Sequence, residues 1–453
     1  MDYKKYIRKQ TDDHRAQGFE RTFTPVYRYK DTFPFTKIDF NGVNETAEKV
    51  HHSTNTTIWC SNDYLNMSHN PDVISRMIEV IKTVGTGSGG TRNISGSTPY
   101  HNKLEKDIAE FHGREKALIF SSAYIANQAT LSTLCKRLDN VIVFSDQLNH
   151  ASLIEGIKNS KVDCSIFKHN DVDHLESLLR ECDINRPKII VFESLYSMDG
   201  TKTNVRDYVE LAKKYNALTY LDEVHAIGLY GENGRGVANE CGISKEVDII
   251  NGTLAKGFGQ IGGYITGDEY LINFIKSFAP GFIFTTSMMP AIAAASSKSI
   301  EIVKTLDEDR KQIFLKAEYI KRQLSACGIP FIDSQSHIIP VLCFDEERVK
   351  QYSRRLLDDF NIYIQPIFYP SINKKNLEDF QIKYFKEFKE QPSYLALLNY
   401  DLVGLIYYLT IKNGLTDIKK LFQKETSFKG KIGIFDIENN KINHRLNFYK
   451  VDN

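Results

Sequence analysis

The alternation of short β-rich runs with helical patterns between residues 70 and 300 constrains the fold more than any other feature of this sequence. The predicted strands are residues 117–120, 141–144, 188–192, 218–221, 247–250 and 263–266. Strands joined by helices at this spacing form βαβ crossovers, which give a mostly parallel sheet covered by helices on both faces. Ligands bind such sheets beyond the carboxyl ends of the strands.

The rest of the chain is predicted to form smaller parts around this large α/β domain, which spans residues 71–300. Residues 1–70 are expected to form an N-terminal arm and a small segment. A helix-rich stretch near residues 290–325 leads into a smaller C-terminal α+β domain at 301–425. The pattern changes again at 426–453, which is predicted to be a separate tail.

Further elements are predicted within these C-terminal parts. Apolar runs at 338–344 and 362–367 predict two strands of the smaller domain. Residues 431–435 and 441–448 alternate on either side of an Asn-Asn turn, which predicts a hairpin in the tail. The apolar stretch 395–411 contains an Asn and an Asp, so it is predicted to be a buried helix rather than a membrane span.

Composition excludes several classes of protein. The 58 Lys and Arg residues balance 57 Asp and Glu residues, so the net charge of +1 attracts neither nucleic acid nor an anionic membrane. The 7 cysteines are an odd number without a Cys-x-x-Cys pair, so neither a disulfide framework nor a metal site is predicted. The acidic residues near the N-terminus argue against a transit peptide. We therefore expect a cytoplasmic protein, with the mitochondrial matrix as the alternative in a eukaryote.

Three chemically active side chains follow two neighbouring predicted strands. Asp222 ends the run LTYLD, His225 comes three residues later, and Lys256 lies among glycines in the segment NGTLAKGFG. Taken singly, the lysine could lie in a solvated turn, the aspartate could cap a helix, and the histidine could be a satisfied core residue. Together they are what a pyridoxal phosphate site needs, because a lysine forms the Schiff base and a carboxylate keeps the ring nitrogen protonated.

Nine ordered segments resemble those of the 5-aminolevulinate synthases, which belong to the α-oxoamine synthase family of fold-type I pyridoxal phosphate enzymes. They are CSNDYL (60–65), GSGGTRNISGS (87–97), FSSAYIAN (120–127), SDQLNHASLIEGI (145–157), FESLYSMDG (192–200), LDEVHAIGLYG (221–231), NGTLAKGFG (251–259), APGFIFTTS (279–287) and SHIIPV (336–341). The resemblance covers about residues 1–371. It implies a homodimer that condenses glycine with succinyl-CoA, releasing CoA and CO2, to give 5-aminolevulinate for haem and other tetrapyrroles.

The resemblance also assigns roles around the cofactor, pyridoxal 5'-phosphate. Lys256 would hold the cofactor and remove the Cα proton of glycine, Asp222 would pair with the ring nitrogen, and His225 with the phenolic oxygen. His150 would lie against the ring face as a third catalytic residue beside Lys256 and Asp222. Further cofactor contacts, mainly to the phosphate, are implied for Ser122, Ala123, Tyr124, Ser197 and Thr253, and for Thr285 and Thr286, which would reach the cofactor of the partner subunit.

Five residues are implied in substrate binding. Arg21, Thr91 and Asn93 would surround the succinyl carboxylate, for which the guanidinium group offers two parallel hydrogen bonds. Ser145 and Ser371 would make the remaining substrate contacts.

The sequence departs from the family after residue 366. Where the family has an Arg that holds the α-carboxylate of the amino acid, this chain has Phe380 or Gln381, and loss of such a contact weakens ordinary catalysis. Asn66 replaces a usual Gly, Phe368 replaces a polar residue, and Cys164 stands where a Lys that contacts CoA is expected. Two other functions therefore stay open: an α-oxoamine synthase with a changed amino-acid or acyl-CoA substrate, and a catalytically impaired or non-catalytic homologue.

Overall fold

The computed structural model describes residues 1–16, 23–38, 56–343 and 346–367, together with three strands between 426 and 446. The chain divides into two compact units, Met1–Pro366 and Ile367–Asn453. The helices described are α1 (Tyr3–Ala16), α2 (Pro71–Val84), α3 (Pro99–His112), α4 (Ala123–Arg137), α5 (Ala151–Lys158), α6 (Val172–Arg180), α7 (Val205–Lys214), α8 (Val237–Glu240), α9 (Glu269–Phe278), α10 (Pro280–Ile283), α11 (Pro290–Val303), α12 (Asp307–Ala326) and α13 (Glu346–Phe360).

The strands form three sheets. They are β1 (Val26–Tyr27), β2 (Phe35–Ile38), β3 (Thr56–Ile58), β4 (Lys116–Phe120), β5 (Ile142–Asp146), β6 (Asp163–Phe167), β7 (Lys188–Glu193), β8 (Leu218–Asp222), β9 (Ile249–Thr253), β10 (Gly263–Gly267), β11 (Ile362–Tyr363), β12 (Thr426–Lys429), β13 (Gly433–Glu438) and β14 (Lys441–Leu446). The sheet orders are β1-β2-β3-β11, β4-β10-β9-β8-β7-β5-β6 and β12-β13-β14.

The seven-stranded sheet is the centre of the first unit and confirms the predicted α/β fold. Strand β10 runs antiparallel to β4 and β9, whereas β9, β8, β7, β5 and β6 pair in parallel. Both faces of the sheet are covered, because successive residues of β7 enter different cores: Ile190 and Phe192 pack in one, Ile189 and Val191 in the other. A strand buried on both faces is continuously apolar, which is why this one could be predicted from its composition.

The six strands predicted for this sheet are confirmed, with ends that differ by at most a few residues. Strand β6 was not predicted, because its sequence DCSIF is polar at alternate positions and its side chains are mostly exposed at the sheet edge. The helix-rich stretch near residues 290–325 is confirmed as α11 and α12.

The predicted strand at 338–344 is wrong over its described residues, where only an isolated bridge joins Phe331 to Val341. Pro330 and Pro340 flank this bridge on the two segments and supply no N–H group, so a longer ladder lacks its donors. The predicted strand at 362–367 shrinks to Ile362–Tyr363, which pairs in parallel with β3. The N-terminal segment therefore forms one small sheet with the end of the first unit.

In the second unit, the predicted hairpin is confirmed as β13 and β14, which pair from Glu438↔Lys441 outwards, with β12 as a third strand. The predicted helix at 395–411 lies outside the described residues. No helix among the described residues is long and apolar enough to cross a lipid bilayer. The four predicted domain ranges stay predictions.

His169 fixes the loops that follow β5, β6 and β7. Its Nδ1 lies 2.9 Å from Asp146 Oδ1, and its Nε2 lies 2.7 Å from Thr201 Oγ1 and 3.4 Å from Asp199 Oδ2. Burial alone would lower the pKa of His169, but the hydrogen bonds to the two carboxylates outweigh it and raise the pKa to about 9. Asp146 also begins the loop that carries His150, so this ionic cluster supports the neighbouring site.

We expect His169 to make the stability of the protein depend on pH in the alkaline range. An unfolded histidine has a pKa of about 6.5, so the stabilisation is complete below that pH and is lost as the pH rises towards 9. The His169→Gln variant should therefore show a free energy of unfolding that falls less between these pH values, by up to about 3 kcal/mol. Urea unfolding at several pH values measures this. Asp199→Asn should flatten the profile partly, whereas parallel profiles for wild type and His169→Gln would contradict the account.

Candidate active site

The candidate active site lies at the carboxyl ends of β8 and β9, where the fold predicts ligand binding. Asp222 is the last residue of β8 and stands opposite Asn251 of β9 in the parallel register. His225 follows β8 by three residues, and Lys256 follows β9 by three residues. Two short loops from neighbouring strands therefore bring the predicted lysine, histidine and carboxylate to one edge of the sheet.

The amine of Lys256 contacts His225 directly. Its Nζ lies 3.0 Å from His225 Nε2, and the other ring nitrogen of His225 lies 2.9 Å from the hydroxyl of Tyr64. Burial lowers the pKa of Lys256 to about 8, although the charges of Asp222 and Glu193 oppose this shift. Burial and the charge of Lys256 lower the pKa of His225 well below its usual range. The amine is therefore far easier to deprotonate than an exposed lysine and has a neutral imidazole beside it.

The carboxylate of Asp222 is held at both oxygens and is only 4% exposed. Its Oδ2 accepts hydrogen bonds from the side-chain amides of Asn127 at 2.6 Å and Asn251 at 3.1 Å. Its Oδ1 accepts one from the backbone N–H of Val224 at 2.8 Å. Among the described residues, no second donor to Oδ1 is present, so this oxygen can accept a hydrogen bond from a ligand.

His150 caps the N-terminus of α5, next to the end of β5. Its Nδ1 accepts hydrogen bonds from the backbone N–H of Ser152 at 3.2 Å and lies 2.7 Å from Ser152 Oγ. Its own backbone N–H donates to Glu193 at 2.6 Å, and its ring meets that of Tyr124 edge to face. Burial lowers the pKa of His150, against the opposing charge of Asp222. The imidazole is therefore neutral and fixed in orientation.

Three of the residues predicted to bind the phosphate come together beside β10. Ser122 caps α4, accepting a hydrogen bond from the N–H of Ile125 at 3.2 Å, so Ala123 is the first residue of this helix. Gly263 pairs with Thr253 across the sheet, and a Cβ atom at Gly263 would lie 2.1 Å from the backbone nitrogen of Ala123. Only glycine allows this approach, which places the helix N-terminus beside Thr253. Helix N-termini bind phosphate groups through their free N–H groups.

A second group of predicted residues surrounds the loop GSGGTRNISGS. Thr91 bridges to Thr286, and the N–H of Ser287 donates to Gly90 at 2.9 Å. Thr285 donates its hydroxyl to Gly281 at 2.6 Å. Thr285 and Thr286 line a small cleft, together with Ser121 and Arg92. Asn93 is exposed on this loop.

The remaining predicted residues are placed as follows. Ser145 is buried in β5 and accepts a hydrogen bond from Asn149 at 2.9 Å, so its hydroxyl is used within the fold. Ser197 lies half-buried in the turn after β7. Arg21 and Ser371 lie outside the described residues.

The chain is similar to known proteins over most of its length. Residues 54–384 match the family described as aminotransferase class I and II. The chain is 46% identical to the 5-aminolevulinate synthase of Rhodobacter capsulatus and 47% identical to that of Paracoccus denitrificans, in each case over 82% of this chain and 90% of the relative. The chain belongs to the 5-aminolevulinate synthase family.

Solved structures of other enzymes share the fold. A serine palmitoyltransferase from S. paucimobilis with a bound PLP–myriocin aldimine superposes with a TM-score of 0.71 at 25% identity, over 81% of this chain and 89% of that one. An 8-amino-7-oxononanoate synthase from Francisella tularensis superposes with a TM-score of 0.60 at 23% identity, over 74% of this chain and 98% of that one. The predicted fold-type I architecture is thereby confirmed.

Two of the departures from the 5-aminolevulinate synthase family have a structural context. Asn66 has φ of 55°, a left-handed conformation that glycine adopts freely and that asparagine tolerates better than most residues. The Gly-to-Asn change at this position is therefore compatible with the backbone. Cys164 is exposed on the edge strand β6. Phe368, Phe380 and Gln381 lie outside the described residues.

The structure adds residues that the sequence did not single out. Tyr64, Asn127, Glu193 and Asn251 all contact predicted site residues, and all four occur within segments that carry the resemblance. The signal available for Asn127 was its place in α4, one turn after Ala123, on a helix that also carries the apolar residues Ala126, Ala129, Leu131 and Leu134. A polar residue on a buried helical face needs a specific partner, which sequence alone does not name.

Proposed function

We propose that this chain binds pyridoxal 5'-phosphate and condenses glycine with succinyl-CoA, giving 5-aminolevulinate, CoA and CO2, the entry step to haem and other tetrapyrroles. The observation that carries the proposal is the partly buried contact between Lys256 and His225, together with the fixed carboxylate of Asp222. Membership of the 5-aminolevulinate synthase family supports the choice of reaction.

The residues present fit this cofactor. Asp222 has one carboxylate oxygen that could accept a hydrogen bond from the ring nitrogen, and Lys256 has an amine of lowered pKa that could react with the aldehyde. Ser122 and Ala123 open a 15-residue helix beside Thr253, so free N–H groups are available to the phosphate. When bound, the cofactor supplies an electron-accepting ring that stabilises negative charge at the Cα atom of the substrate.

Side chains of the protein would then transfer protons or hold them in place. Lys256 Nζ, with its pKa near 8, exists partly as the neutral amine near neutral pH and can take the Cα proton of glycine. His225 contacts this amine through Nε2 and would pair with the phenolic oxygen of the cofactor. His150, fixed by Ser152 and Glu193, would lie against one face of the ring and would exclude water there.

The second group of residues is proposed to act on the acyl substrate and across a dimer. Thr91 and Asn93, with Arg21, would bind the succinyl carboxylate, and Ser197 and Ser371 would complete the contacts. Thr285 and Thr286 would reach the phosphate held by the partner subunit. We also propose a cytoplasmic location.

The proposal is tested with the purified full chain, loaded with pyridoxal phosphate. Glycine and succinyl-CoA together should release free thiol and an equal amount of 5-aminolevulinate, whereas omission of either substrate should give neither product. Release of thiol with a different acyl-CoA, but not with succinyl-CoA, would overturn the assigned acyl substrate.

A changed amino-acid substrate is the second candidate, because the expected carboxylate-binding Arg is replaced near residues 380 and 381. The same assay with alanine or serine in place of glycine distinguishes it. Faster thiol release with either amino acid than with glycine would favour this candidate.

A further inference from the structure

Asn127 joins two parts of the candidate active site that belong to different strands. It lies on α4 and is 1% exposed. Among the described residues, its side chain makes no hydrogen bond to Lys256 or His225. Its side-chain nitrogen donates to Asp222 Oδ2 at 2.6 Å and to Ser152 Oγ at 2.9 Å. Ser152 Oγ lies 2.7 Å from Nδ1 of His150. A continuous path of hydrogen bonds therefore runs from the carboxylate to the imidazole.

Every polar atom of the Asn127 side chain is used. Its Oδ1 accepts a hydrogen bond from the hydroxyl of Tyr220 at 2.8 Å, and its two N–H groups serve Asp222 and Ser152. The reverse amide orientation would place Oδ1 against the carboxylate and would leave two acceptors facing each other. The network therefore admits one orientation of the amide.

The direction of the hydrogen bonds also fixes the proton on His150. Nδ1 of His150 accepts from the backbone N–H of Ser152, so this nitrogen carries no proton of its own in the neutral ring. Ser152 accepts from Asn127 and can therefore donate its hydroxyl proton to the same Nδ1. The proton of neutral His150 is then on Nε2, the atom away from the network.

Helix α4 gives this residue a second link to the cofactor site. Ser122 caps the helix at the proposed phosphate site, and Asn127 lies about one turn further along. The helix that would hold the phosphate thus also holds the carboxylate that would face the ring nitrogen. Helix α4 therefore sets the distance between the proposed phosphate site and the carboxylate of Asp222.

We propose that Asn127 is a positioning residue that fixes the orientation of the Asp222 carboxylate relative to the ring of His150. The proposal rests on the proposed function, because it assigns these two groups to one cofactor ring. All of the side-chain hydrogen bonds of Asn127 go to other residues of the protein. It acts through the orientation of Asp222 and His150.

Two substitutions distinguish the whole hydrogen-bond network of Asn127 from its link to His150. Asn127→Leu removes every hydrogen bond of the amide at similar volume, whereas Ser152→Ala removes only the link to His150. Asn127→Asp keeps the shape but brings a second carboxyl group against Asp222. The matched control is Thr133→Val, which lies on the same helix, is also buried, and has a hydroxyl without a partner among the described residues.

The readouts are the pH titration of the visible absorption of the bound cofactor, the cofactor dissociation constant, and kcat with KM. Asn127→Leu should move the titration midpoint, weaken cofactor binding and lower kcat about 10- to 100-fold with little change of KM for the acyl-CoA. Ser152→Ala should have a smaller effect, and its effect should not add to that of Asn127→Leu. Thr133→Val should resemble wild type.

The proposal is overturned if Asn127→Leu, or Asn127→Asp where the leucine variant does not fold, keeps the wild-type titration midpoint and cofactor affinity. Full additivity of Asn127→Leu and Ser152→Ala would also overturn it, because residues on one path must couple. Absence of activity with glycine and succinyl-CoA in wild type would instead refute the proposed function. The titration and the affinity would still decide the role of Asn127.

Discussion

Replacing Lys256 by alanine is expected to abolish catalysis and the covalent link to the cofactor. The substitution removes both the amine that would bind the aldehyde and the group that would take the Cα proton. General bases of this kind contribute about 10²- to 10⁴-fold, and loss of the covalent contact adds to this, so kcat should fall by at least about 10³-fold. Reduction of wild type with borohydride should fix the cofactor on the peptide that contains Lys256, and the variant should lose this label.

The control for this experiment is a buried lysine elsewhere in the fold. Lys188 is 2% exposed and donates to the backbone carbonyls of Ile184 and Arg186, near the start of β7 and so at the opposite end of the sheet. Lys188→Met should lower stability but should keep the borohydride label. Small external amines should partly restore proton transfer in Lys256→Ala. A label that persists in Lys256→Ala would refute the assigned role of this lysine.

The parts of the fold that could be predicted are those whose residues carry their own signal. Strand β7 is buried on both faces, so its run of apolar residues predicts a strand without knowledge of its neighbours. Strand β6 lies at the sheet edge and β11 pairs with β3 across about 300 positions of chain, so neither pairing is encoded locally. The strand predicted at 338–344 was wrong because the prediction considered the apolar residues and not the two prolines, which remove hydrogen-bond donors from the ladder.

The site residues likewise fall into those that could be predicted from the sequence and those that could not. Asp222, His225 and Lys256 were predicted because strand ends, glycines and residue order identify them, and the structure brings them together. Asn127 was not predicted, because its importance depends on partners from β8 and α5 that are far away in sequence. Sequence patterns reveal the groups that do chemistry more readily than the groups that hold them, since the latter are defined only by packing.

Removing the charge at Asp222 is expected to have the second largest effect. Asp222→Asn keeps the shape of the side chain but cannot hold a proton on the ring nitrogen, so the ring loses much of its power to accept electrons. The kcat should fall about 10³-fold, a loss comparable to that of an oriented charged group in other active sites. Steady-state kinetics measure the fall, and the borohydride label on Lys256 should persist because the amine is untouched.

A cofactor analogue separates the charge of Asp222 from its packing. Asp222→Ala leaves the amides of Asn127 and Asn251 without their acceptor, which should cost about 1–3 kcal/mol of stability. It also opens space beside the ring nitrogen. An analogue methylated on that nitrogen carries a permanent positive charge, so it should restore part of the activity of Asp222→Ala, whereas in wild type the methyl group would clash with the carboxylate. If the analogue gives no recovery although it binds the variant, Asp222 acts mainly through packing, and the assigned electrostatic role is wrong.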